Sequence, residues 1–190
     1  MVPLIYGKYY HIFNRGIESL KIFLDEKDYL FFLKQYEKYL YYVVETFAYC
    51  LMSNHFHFLV RIKEEDEIPW INEKKRYNPS RQFAHLINSY TKWYNRRYER
   101  SGNLLERPFK RKMLDSELYF KELVVYIHTN PLHHGIVSEF SKYHWSSYPS
   151  FIKNYKMISL GDTVSWFNSI DDFIEYHNMR KEKIRLDQEF

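Results

Sequence analysis

Two histidines flank one phenylalanine in "NHFHFLV", residues 54–60, inside an otherwise apolar run. At a strand's period of two, His55 and His57 leave the backbone on the same side as Leu59 and Arg61. Phe56, Phe58, Val60 and Ile62 take the opposite side and read as core. Two imidazoles placed this way lie close enough to share one divalent cation, although the same pair also fits a plain surface strand. The CxxC and HExxH spacings of zinc sites are absent from the chain. A cation here would therefore have few protein ligands and would stay open to a phosphate oxygen.

A second group lies in "SELYFKELVVYIHTNP", residues 116–131. Tyr119, Glu122, Tyr126 and Asn130 fall at i, i+3, i+7 and i+11, one polar stripe of a helix beside an apolar stripe of Phe120, Val124 and Ile127. A tyrosine hydroxyl attacks phosphorus when a cation or base orients or ionises it. Asn130, one turn beyond Tyr126, can offer an oxygen to the same cation. Packing is the competing use, since the chain holds 19 tyrosines. His128 falls on the far side of this helix and is expected in solvent. His133 and His134 flank a turn, and Asn14-Arg15-Gly16 closes the first strand; each fits a phosphate contact or no ligand at all.

Charge is unevenly spread. The whole chain carries +4, whereas Arg76 to Lys112 holds ten Lys/Arg against Glu99 and Glu106, a local excess of +8. Such a segment suits a polyanion, most simply a nucleic acid, and equally suits a solvated helix face.

The elements that must position these groups follow from periodicity. Residues 9–15 read as a strand ending at Gly16. Asp25 to about Val43 reads as a helix with Tyr29, Leu33, Tyr36 and Leu40 inward and Asp25 or Asp28 as its cap. "ETFAYCLM" is a second strand, Ser53-Asn54 a two-residue turn, and His55 to Ile62 the third strand. The charged stretch from Lys63 to Ser80, interrupted by Pro69 and Pro79, is a loop. A second helix from Ser80 carries Phe83, Leu86, Ile87, Tyr90 and Tyr94, "RPFKRKML" is a short fourth strand, and a third helix starts at Asp115 or Ser116 and stops at Pro131. Strand, helix, strand, strand, helix, strand, then one more helix is the split βαβ order. The expected class is α+β, ferredoxin-like: an antiparallel sheet with two helices on one face, the other face free for a ligand, and an added helix carrying Tyr126. Residues 1–150 form one domain and 151–190 a partly helical extension.

At 190 residues and 45% hydrophobic the chain can bury an ordinary core. No apolar run approaches the roughly 20 residues that span a bilayer, and the start lacks a secretory pattern. The single Cys50 allows no internal disulfide. Together these features suggest a cytoplasmic protein without a membrane anchor, monomeric or homodimeric.

The pieces "YYHIFNRGI", "IFLDEKDYLFFL", "YCLMSNHFHFLV", "ERPFKRKMLD", "YIHTNPLHHGIV" and "YHWSSYPSF" occur in this order over about residues 9–151. Jointly they resemble the HUH single-tyrosine transposases, and within them the REP-associated tyrosine transposase branch. The resemblance implies that His55, His57 and Asn130 bind Mg²⁺ or Mn²⁺ and that Tyr126 is the nucleophile. Single-stranded DNA bearing a hairpin would be cut through a 5′-phosphotyrosine link and then rejoined. Arg15, Arg81, Arg96, Arg97, Arg107, Lys110, Arg111 and Lys112 would bind the DNA. Ser53 stands where the family often has proline, a turn-compatible departure. The alternative is a domesticated relative that grips hairpin DNA or RNA without cutting it.

Overall fold

The computed structural model describes residues 3–153 and 160–189. Strand β1 (Tyr9–Arg15) leads into α1 (Glu26–Leu40), followed by β2 (Val44–Met52) and β3 (His55–Ile62). A small hairpin of β4 (Trp70–Asn72) and β5 (Lys75–Arg76) sits in the stretch expected to be only loop. Then come α2 (Pro79–Arg97), β6 (Lys110–Met113), α3 (Glu117–His133), α4 (Tyr148–Lys153) and α5 (Ile170–Glu189). The main sheet runs β2-β3-β1-β6 with every pairing antiparallel. The class is thus α+β, a split βαβ sheet with the fourth strand beside the first.

Local chemistry starts both long helices. The Asp25 carboxylate accepts from the backbone of Lys27 and Asp28, and Asp28 accepts in return from Asp25, a capping box. Asn78 caps α2, with Pro79 at the first helical position where no N–H is needed. Tyr29, Leu33, Tyr36 and Leu40 of α1, with Phe83, Leu86, Ile87, Tyr90 and Tyr94 of α2, are buried against Tyr10, Ile12, Phe56, Phe58, Val60 and Ile62 of the sheet. Each such side chain contributes about 1.5–3 kcal/mol on burial. This layer makes the sheet rigid and fixes the direction of its opposite face.

That opposite face is not left bare. Helix α3 crosses its β2–β3 half, burying Phe120, Leu123, Val124 and Ile127 on Phe47, Ala48, Cys50, Met52 and Leu59. Ser116 caps α3 by accepting from the Tyr119 N–H. The helix does not stop at Pro131 but closes one more turn, with His134 N–H bonded to Asn130 C=O at 3.0 Å. A proline this near the end disrupts little that follows it.

His128 corrects another expectation. Instead of facing water it is fully buried, because α5 packs on α3 from the far side. Its Nδ1 lies 2.9 Å from His177 Nε2 on α5 and its Nε2 lies 2.8 Å from Ser147 Oγ. The covering segment lies later in the chain, so no periodicity within α3 announces it. Residues 154–159 and 190 of the expected extension lie outside the described residues. Among those described, no helix is long and apolar enough to cross a membrane.

Candidate active site

Strand β3 presents its histidines toward α3. The Ser53-Asn54 turn pairs Met52 with His55 and so sets the register that aims them there. The turn is clamped by its neighbours: Gly16 N–H donates to the Asn54 carbonyl at 2.8 Å, and Ile22 and Phe23 N–H donate to the Ser53 carbonyl. Gly16 must be glycine because an added Cβ would stand 2.0 Å from the Leu20 carbonyl oxygen. The Asn14-Arg15-Gly16 stretch is therefore first a structural corner, and Arg15 reaches the site from it.

Around His55 the hydrogen bonds define the imidazole. Asn54 Oδ1 lies 2.7 Å from Nδ1, and where it accepts the Nδ1–H hydrogen bond Nε2 is left as a lone pair. That lone pair faces a second acceptor, Asn130 Oδ1, at 3.2 Å. Asn130 itself is fully buried, and its Nδ2 has no hydrogen-bond partner among the described residues. Two acceptors at that distance suit adjacent ligands of an octahedral cation, whose bonds of about 2.1 Å put neighbouring donor atoms about 3.0 Å apart. Burial lowers the pKa of His55, partly offset by the Asn130 contact. Burial also holds His57 well below the usual histidine value, with His11, His55 and His134 adding to the effect. Both imidazoles are thereby kept in the neutral form that metals bind.

Tyr126 projects from α3 with its ring edge-on to His57, centroids 5.6 Å apart, and 6.3 Å from the ring of His11. Tyr126 is half-buried at the site, Asn130 is buried and Glu122 is exposed. His55, His57, Tyr126, Arg15 and Lys110 line one cleft of about 520 Å³ together with Asn54 and His134. Among the described residues no three His, Cys, Asp or Glu side chains converge as a metal cluster, so the donor set for a cation would be two imidazoles and one amide oxygen.

The expected basic residues divide between the two faces of the sheet. Lys110 and Lys112 pair across from Phe13 and His11 and lie on the histidine face. Arg15 and Lys110 both bond Glu106 there, the latter at 2.9 Å. Arg111, between the two lysines, points the other way opposite Ile12, its guanidinium over Phe109 and its Nε without a hydrogen-bond partner among the described residues. Arg81, Arg96 and Arg97 sit on α2 across the sheet. Arg97 is bound to Asp25 and Asp28, and Arg107 donates to Asn88 at 3.3 Å.

Two further residues belong to the site. His11 on β1 is buried with Nε2 2.8 Å from His57 Nδ1, and burial first, then Lys112, lower its pKa to about 4. The alternation of "YYHIFNR" already set His11 beside Phe13 on one face, and the pairing of β1 with β3 makes it the histidine face. His134, whose ring centroid is 5.2 Å from that of His55, had stood as one of several open candidates.

No protein-family model matches the sequence, and no curated protein sequence matches it. Among solved structures the fold is similar to a REP-associated tyrosine transposase bound to a REP hairpin. The TM-score is 0.62 over 86% of this chain and 91% of that one, at 16% sequence identity. The likeness is one of fold.

Proposed function

We propose that this chain is a single-tyrosine transposase of the HUH type, which cuts and rejoins single-stranded, hairpin-bearing DNA through a 5′-phosphotyrosine link. The observation that carries the reading is the meeting of Tyr126 with His57 and His55 in one cleft, with the buried Asn130 Oδ1 3.2 Å from His55 Nε2. The solved neighbour of the same fold was captured on a REP hairpin, which supports DNA as the partner.

His55 and His57, with Asn130 Oδ1, would hold Mg²⁺ or Mn²⁺. When bound, the cation supplies Lewis-acid polarisation of a phosphate oxygen. The Tyr126 hydroxyl loses its proton to solvent as its oxygen forms a bond to phosphorus. The bond from phosphorus to the 3′ oxygen breaks, and that oxygen leaves protonated as a 3′-OH. Rejoining reverses the exchange, another 3′-OH displacing Tyr126, so one phosphoester replaces another and no external energy source is consumed. Arg15 and Lys110 hold the phosphates at the mouth of the cleft, while the neutral histidines add no charge to repel the cation.

The test mixes the protein with labelled hairpin oligonucleotides and Mg²⁺ or Mn²⁺. A denaturation-resistant adduct is expected, lost in Tyr126→Phe and in EDTA. An undiminished adduct in Tyr126→Phe removes the nucleophile, and tight hairpin binding with no adduct across a broad substrate set points instead to a binding protein.

A further inference from the structure

A second cavity, of about 800 Å³, opens on the other side of Tyr126. Phe13, His57 and Tyr126 line both it and the cleft above, so the tyrosine stands where the two meet. One wall is α3 and the other is α5. Helix α5 turns Phe173, His177 and Ile184 into the core. It turns Tyr176, Met179, Arg180 and Lys183 to the cavity, at the i, i+3, i+4, i+7 spacing of one helix face. Tyr176 and Met179 are exposed. Facing them, Tyr119 carries the Lys112 ammonium 4.4 Å from its ring centroid. Glu122 is the one acidic residue among those lining the cavity.

We propose that this cavity is a single-strand groove, which holds the nucleotides adjoining the scissile phosphate with Arg180 and Lys183 on the phosphates and Tyr119 and Tyr176 on the bases. That the held nucleotides adjoin the scissile phosphate rests on the proposed role of Tyr126 as nucleophile. A polyanion is the occupant because Arg180 and Lys183 stand on the α5 wall against the single acid Glu122, with tyrosine faces on both walls, the combination that binds single strands without regard to sequence. A strand seated in the first cleft and extended over Tyr126 has this cavity as its continuation. Single-stranded rather than duplex nucleic acid is specified by the aromatic faces, which need unstacked bases.

The probe is a fluorescent oligothymidylate of about 12 nucleotides, a length within the range that single-strand modules cover. Binding is read by anisotropy in EDTA, where no cutting contributes. Arg180→Glu with Lys183→Glu should weaken it by at least about tenfold and lower the slope of log affinity against log salt by about 1.4, two phosphate contacts at about 0.7 each. Arg180→Gln with Lys183→Gln should fall between, and thermal melting identifies any variant that has lost its fold. Lys34→Glu with Lys38→Glu makes the same charge change on α1, across the sheet, and should bind like the parent. Tyr176→Ala should weaken binding severalfold without altering the salt slope. Equal binding by the parent and both Arg180/Lys183 pairs, an equal loss in the Lys34/Lys38 control, or no binding by the parent overturns the groove. Charge-sensitive binding without an adduct on any hairpin removes the cutting reaction and leaves the groove standing. An adduct with charge-insensitive binding does the reverse.

Discussion

Nε2 of His11 and Nδ1 of His57 share a hydrogen bond of 2.8 Å within the sheet, between side chains that are both buried. Only one proton occupies that bond, and its position decides what His57 offers the cleft. With the proton on His57 Nδ1, its Nε2 is a lone pair available to a cation. With the proton on His11, Nε2 carries the other hydrogen and cannot ligate. His11 is therefore the group that sets the tautomer of His57, as a partner behind a metal-binding histidine does. His11→Ala should weaken Mn²⁺ binding about 10–100-fold, measured by calorimetry, and His11→Gln should restore part of it because its amide oxygen can accept from Nδ1. Unchanged affinity in His11→Ala would show that His57 does not bind through Nε2.

How much of this was legible in the chain depends on where the information lay. The alternation of His55 to Ile62 and the stripe of α2 are local, and both faces came out as the period dictates. Tyr126 and Asn130 share a helix, so their spacing alone set them one turn apart. His11 required a strand partner, which exists only after the sheet forms. His128 required knowledge of α5, whose apolar face is thin: Phe173 and Ile184 are separated by a buried histidine rather than by a hydrophobic run. The basic segment could not be divided between faces for a similar reason, since a count of charges along the chain ignores that Lys110, Arg111 and Lys112 alternate faces.

Asn130 offers a direct test of cation binding that needs no DNA. Its Oδ1 lies 3.2 Å from His55 Nε2, and a cation bound to both atoms would relieve that close approach of two acceptors. Mn²⁺ at about 100 times its dissociation constant should stabilise the parent by about 2.7 kcal/mol, read as a rise in Tm over the EDTA sample. Asn130→Ala should shrink that rise. Asn130→Asp should enlarge it while lowering Tm in EDTA, because a buried carboxylate needs a cation beside it. A Tm rise equal in all three proteins would place the cation elsewhere.

Lys110 and Arg97 should separate binding from folding. Lys110 lines the cleft, half-exposed, with one ion pair to Glu106. Lys110→Ala should weaken hairpin binding and flatten its salt dependence by roughly 0.7–0.9, with stability nearly unchanged. Arg97 is spent on Asp25 and Asp28, and the fully buried Asp28 also accepts from Tyr98 Oη at 2.9 Å and Leu24 N at 2.6 Å. Arg97→Ala should therefore leave affinity intact and lower stability by about 1 kcal/mol. Affinity lost in Arg97→Ala at unchanged stability would bring α2 into the DNA surface.

His177 anchors α5, and with it one wall of the second cavity, from a buried position that favours its neutral imidazole. Its Nε2 meets His128 Nδ1 at 2.9 Å and its Nδ1 donates to the Phe173 carbonyl at 2.6 Å, among Phe140, Tyr148 and Phe173. Burial lowers its pKa to about 4, only partly opposed by the Phe173 carbonyl. In the unfolded chain the same group titrates near 6.5. Between those values the unfolded state holds a proton that the folded state refuses. Stability from the neutral burial is thus complete above about pH 6.5 and is lost as pH falls through 4, by about 3 kcal/mol in all. His177→Phe keeps the ring but removes both bonds, so it should cost about 1–2 kcal/mol at pH 7.5. It should also flatten the urea-measured stability profile between pH 6.5 and 4 by close to one proton. Parallel profiles for parent and variant would mean that His177 is already charged in the folded protein, and that the α3–α5 contact rests on its aromatic neighbours alone.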